Sequence, residues 1–156
     1  MRNALALLAL LSSSMFAADL KPLDEAGYAK LLAAAKGKVV LINFWATYCV
    51  PCRKEMPQMV ALASKLRPQG LQFITISADE PEQLKDAAAF LDKVQVPPPV
   101  YLRRAADDDK FVSAIDPKWS GALPATFLYD KTGRKARAFF GEVKMAELEA
   151  AIRKLL

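Results

Sequence analysis

"VVLINFWATYCVPCRKEMP", residues Val39 to Pro57, decides how this chain of 156 residues is read. It holds the chain's two cysteines, Cys49 and Cys52, three positions apart. The run Val39–Phe44 is short, mostly apolar and partly β-branched, the pattern of a strand buried in the middle of a sheet. Beyond the cysteines, Met56, Val60, Ala63 and Leu66 recur at helical spacing. Cys49 is therefore predicted at a strand-to-helix junction, at or just before the helix N-terminus. Unpaired backbone N–H groups and the positive end of the helix dipole stabilise a thiolate there, and Arg53 and Lys54 add positive charge. Pro51 fits the first helical turn, where no N–H is needed. Pro57 lies deeper and is expected to kink the helix.

Cysteines at this spacing serve as half of a zinc site, as a structural disulfide or as a redox dithiol. A structural zinc site takes four Cys or His ligands, and this chain has two cysteines and no histidine. The lack of histidine also removes the usual base of a Cys-His hydrolase. A bridge closing so short a loop takes little entropy from the unfolded chain, so a staple is a weak reading. A dithiol that cycles with a disulfide remains, with Cys49 as the attacking thiol and Cys52 as the resolving one. A second class stays open, a carrier holding Cu(I) between Cys49 and Cys52, because thiolates suit that ion. Against it, no histidine or suitably placed methionine offers a third ligand.

The length fits one domain, and 53% hydrophobic residues supply a core. The net charge of +5 is spread among acidic residues without a Lys/Arg run, so no nucleic-acid partner is expected. A mildly basic face that steers an acidic partner remains open. At the N-terminus, Met1-Arg2-Asn3 is positive, Ala4–Leu11 is apolar and Ser12–Ala18 ends in small residues. That is the layout of a signal peptide, residues 1–18, cleaved after Ala17 or Ala18 to leave a domain over 19–156. The alternative is a membrane anchor formed by the uncleaved N-terminus. A periplasmic or otherwise exported location follows, where disulfides persist.

Elsewhere the patterns alternate. Asp24–Lys36 reads as a helix capped by Asp24 and stopped at Gly37. Leu71–Ser77 reads as a strand, Glu80–Leu91 as a helix ending before Pro97-Pro98-Pro99, and Val100–Leu102 as a short strand. Asp107-Asp108-Asp109 is an acidic cap for a helical segment over Phe111–Ile115, with a metal site as the sharper alternative. Ala125–Tyr129 and Lys135–Phe140 flank the turn Asp130–Gly133 as a hairpin, and Met145–Leu156 is an amphipathic helix. This order predicts an α/β sheet covered on both faces.

The pair of motifs "NFWATYCVPCRKEMP" and "GALPATFLYDKTG" resembles the thioredoxin superfamily, and within it the exported TlpA/ResA-like thiol-disulfide oxidoreductases, from about Leu20 to the C-terminus. The resemblance implies a thioredoxin-like α/β fold: a central mixed β-sheet flanked by helices, with a mid-core insertion over Ala78–Pro99. It makes Pro124 the cis-proline beside the dithiol, presenting the backbone of Leu123 to an extended partner peptide. Trp45, Tyr48, Val50 and Pro51 would shape the substrate-binding surface, with core packing the equal alternative for Trp45 and for Tyr48, which stands where tryptophan is common. Many thioredoxins carry a buried aspartate at the position of Asn43, and an asparagine cannot act as a base. Glu55 matches a glutamate that lies near the dithiol in the TlpA/ResA-like group, and is expected to tune thiol pKa and accept a proton. The bland alternative for Glu55 is a surface glutamate paired with Arg53 or Lys54.

Taken together, the resemblance implies a monomeric enzyme that reduces disulfides in an exported client protein, such as apocytochrome c or a copper-site protein. Electrons would come from a membrane thiol donor, with no metal and no cofactor beyond the redox-active Cys49–Cys52 disulfide. A disulfide oxidase or isomerase stays open, since related CxxC proteins span about −120 to −270 mV. A peroxiredoxin-type peroxidase is disfavoured, because it carries threonine three places before its reactive cysteine and Ala46 stands there.

Overall fold

The run Val39–Trp45 is buried at every position, which only a strand covered on both faces and flanked on both edges achieves. The structure, a computed structural model, describes residues 18–156. The segment read as a signal peptide therefore lies outside the described residues, apart from Ala18.

Among the described residues the strands are β1 (Leu20–Leu23), β2 (Val39–Trp45), β3 (Leu71–Ser77), β4 (Val100–Arg103), β5 (Ala125–Tyr129) and β6 (Lys135–Phe140). The helices are α1 (Glu25–Ala34), α2 (Val50–Leu66), α3 (Leu84–Lys93), α4 (Asp108–Ile115) and α5 (Met145–Arg153). The sheet order is β1-β4-β3-β2-β5-β6. β1, β4, β3 and β2 run parallel, while β5 is antiparallel to β2 and β6 to β5. This is the mixed sheet expected from the sequence.

The two-residue side-chain period of β2 sorts the core into two layers. Leu41 and Trp45 join Met56 and Met59 of α2, Leu91 of α3 and Leu148 of α5 on one face. Ile42 and Phe44 join Tyr28 of α1 and Phe111 of α4 on the other. The second layer is aromatic: the Phe44 ring lies 4.7 Å from Trp119, 5.8 Å from Phe127 and 6.2 Å from Phe111, centroid to centroid. Such tilted and edge-on pairs add to plain burial.

Several boundaries differ from the sequence reading. β1 carried no strand signal because it is four residues long and contains Pro22, which only an edge strand tolerates. Over the stretch expected as an insertion, Ala78–Pro99, a 3-10 turn (Pro81–Gln83) and α3 follow β3 and lead into β4, which lies between β1 and β3 in the sheet. α2 runs through Pro57 without interruption. A proline removes one helical hydrogen bond, and burial of Met56, Met59 and Leu62 around it holds the helix together. The Asp107-Asp108-Asp109 run is spent on α4: Asp107 caps the helix by accepting from the Lys110 amide at 3.1 Å, and Asp108 pairs with Arg103.

Candidate active site

β2 ends at Trp45, and a tight turn brings the chain to α2, with the Cys49 amide donating to the Ala46 carbonyl at 3.1 Å. Cys49 is the N-cap of α2, its Sγ accepting from the Cys52 amide at 3.3 Å. Cys49 and Cys52 are joined as a disulfide. Their surroundings differ: Cys49 is 8% exposed and Cys52 is fully buried. Of the two cysteines, only Cys49 has any exposed surface.

The turn is held by a residue that the sequence reading passed over. Asp79, buried just beyond β3, accepts from the Thr47 amide with both carboxylate oxygens at 3.0 Å. It also accepts from the Thr47 hydroxyl at 2.6 Å and the Ser77 hydroxyl at 2.7 Å. Beside it, the Ala78 amide closes onto the Trp45 carbonyl at 2.8 Å. Asp79 is 32 positions from Thr47. No local sequence signal could have linked them.

A groove of about 530 Å³ opens over Cys49. It is lined by Tyr48, Val50, Pro51 and Leu123, so four of the residues expected at a substrate surface meet there. Tyr48 is 69% and Val50 61% exposed, unusual for large apolar side chains. Pro124 is buried behind Leu123, and the Leu123–Pro124 peptide bond is cis. Trp45 corrects an expectation: it is wholly buried, with its ring 5.1 Å from Phe90, and contributes no surface to the groove. The same two-residue period that turns Asn43 and Leu41 inward carries Trp45 under the site instead of beside it.

Glu55 is also buried, 6% exposed, and follows Cys52 by three positions on the inward face of α2. One oxygen accepts from the Val143 amide at 3.2 Å, while Oε1 has no partner. Burial pushes its carboxyl up from the ordinary 4.5 to about 7, opposed by the Val143 hydrogen bond, aided by the charge of Glu142 and opposed again by the Asn43 side chain. The surface pairing with Arg53 or Lys54 does not form. Glu55 faces a polar row across the sheet, in which Asn43 stands opposite Thr75 on β3 and Thr126 on β5. Asn43 donates to the Thr126 hydroxyl at 3.0 Å. A buried carboxyl held near neutrality can take and return a proton near neutral pH.

A family model described as the AhpC/TSA family matches residues 15–135. The chain belongs to the AhpC/TSA family. Within the thioredoxin superfamily it is similar to the thiol-disulfide oxidoreductase ResA of Bacillus cereus, 36% identical over 121 residues, covering 77% of this chain and 65% of that protein. ResA of Geobacillus kaustophilus is 30% identical over 126 residues, covering 81% of this chain and 68% of the relative. The chain thus spans about two thirds of the length of the ResA proteins it matches. Among solved structures, a thiol:disulfide interchange protein of the thioredoxin family from Chlorobium tepidum superposes with a TM-score of 0.66 at 26% identity, covering 79% of this chain and 83% of that one. The fold of this AhpC/TSA member is thioredoxin-like.

Proposed function

We propose that this chain is an exported thiol-disulfide oxidoreductase that reduces disulfides in client proteins through Cys49 and Cys52. The observation that carries the reading is the asymmetry of the pair: an accessible Cys49 at a helix N-terminus, bonded to a buried Cys52 that follows a β-strand and precedes a buried glutamate. The names of the ResA relatives and of the Chlorobium tepidum protein support the same chemistry.

In the reduced protein the Cys49 thiolate attacks one sulfur of a client disulfide. A mixed disulfide forms, and the client's other sulfur leaves as a thiolate that takes a proton from solvent. Cys52 then gives its proton to Glu55 and attacks the Cys49 sulfur. The second client sulfur leaves as a thiolate that takes a proton from solvent, and the Cys49–Cys52 disulfide closes, with two electrons passed to the client. A membrane dithiol donor returns those electrons by the reverse exchange. Tyr48, Val50, Pro51 and the backbone of Leu123 hold the client segment in the groove, and no metal or organic cofactor takes part. The apolar run Ala4–Leu11 supports export, and apocytochrome c or copper-site proteins are the client class that the resemblance suggests.

Trapping tests the reading. Cys52→Ser, unable to resolve, should accumulate a mixed disulfide between Cys49 and a client peptide, whereas Cys49→Ser should form none. Failure of Cys52→Ser to trap any disulfide peptide would overturn it. The reduction potential fixes direction: a value near that of thioredoxin, about −270 mV, belongs to a reductase, and one near −120 mV to an oxidant.

A further inference from the structure

A second groove begins at Val50, next to Cys49. It lies between α2 and α3, encloses about 380 Å³, and has an apolar floor of Val50, Pro57 and Phe90 rimmed by Arg53, Lys54 and Lys93. Val50, which directly follows Cys49, belongs to both grooves. The Phe90 ring packs 5.1 Å from the Trp45 ring, and the Arg53 guanidinium lies over it at 5.3 Å. Among the described residues, none of the three cations is in an ion pair. No carboxylate lines the groove; Asp86 shares with Arg53 a neighbouring cavity beside Tyr48.

We propose that this groove docks an acidic, partly apolar segment of the disulfide-bearing client protein that Cys49 reduces. The proposal rests on the oxidoreductase reading above. Three unpaired cations around an apolar floor complement an anion next to an apolar side chain, and they raise the local concentration of such a partner. A flat anionic membrane fits less well. Because Val50 is common to both grooves, a bilayer seated here would also cover Cys49 and exclude the client. A partner that must bring its own sulfur to Cys49 covers the same ground productively. Phe90 and Lys93 come from α3, so the segment joining β3 to β4 gains a role in recognition.

The test uses disulfide-bonded peptides carrying Glu-Leu-Glu at offsets of roughly two to eight residues from the cysteine, a reach of roughly 7 to 28 Å, and Gln-Leu-Gln counterparts. At low salt the acidic form should be favoured in kcat/KM by about tenfold at its best offset, and the preference should fade as salt screens it. Lys93→Glu should abolish or invert the ratio, and Lys93→Gln should reduce it. Lys30→Glu makes the same change in net charge on α1, across the sheet, and should keep the ratio. Equal turnover of acidic and neutral peptides at every offset overturns the groove and leaves the oxidoreductase reading intact. Turnover of neither overturns both. Lys93-dependent binding to anionic lipid vesicles without a peptide preference also overturns the proposal, in favour of a membrane.

Discussion

Burial at Glu55 couples chemistry and stability to pH. Its carboxyl is held at about 7 in the folded chain against an ordinary 4.5, so between those values the folded state keeps a proton that the unfolded state releases. The stability tied to this group is complete below about pH 4.5 and is lost progressively as pH rises to about 7, by at most ~3 kcal/mol. Glu55→Gln, a fixed mimic of the protonated form, should therefore shrink the difference in urea-unfolding free energy between about pH 5 and pH 8. The same variant should remove the inflection near neutrality from the pH profile of Cys52 alkylation. An unchanged profile takes Glu55 out of the proton path. The position of this glutamate was readable from the motif; its burial was not, because that depends on Asn43 and Val143 arriving from β2 and from the segment after β6.

At the scale of elements, the site is a turn between β2 and α2 pinned to the end of β3. The pin is Asp79, whose carboxylate has three hydrogen-bonding partners on Thr47 and Ser77. Asp79→Ala leaves the Thr47 amide unsatisfied and should cost about 2–4 kcal/mol in urea unfolding. Slower client reduction should accompany it as Cys49 loses its fixed place. Full stability in that variant would show the turn to be held by its own backbone alone. Long elements were legible because their periodicity is strong: β3 is found over the residues expected for it, and α1 is capped by Asp24, which accepts from the Gly27 amide at 2.7 Å. The short edge strand β1 was not, since four residues with a proline carry no usable period.

Across the whole molecule, the central sheet separates two cores with no fully buried side chain in common, while half-buried Leu123 packs against both. Ile115 lies in the aromatic layer beneath α4 and Leu148 in the aliphatic layer beneath α5. Ile115→Val should cost about 1 kcal/mol and Leu148→Ala about 2–5 kcal/mol. Since the sheet stands between the sites, the double variant should equal the sum within about 0.5 kcal/mol in denaturant unfolding. A larger departure would mean that the sheet transmits packing strain from one layer to the other.

By itself the sequence determined the α/β class, the central buried strand, the location of the dithiol at a helix start and the residues around it, because each is written in local periodicity or in a contiguous motif. Only the tertiary structure decided which cysteine is accessible, that Glu55 is buried and Trp45 lies beneath the site, that Asp79 holds the turn, and that α3 brings Phe90 and Lys93 beside Val50. The physical reason is common to all four: burial and hydrogen-bond partnership are properties of residues far apart in the chain, set by how helices cross the sheet.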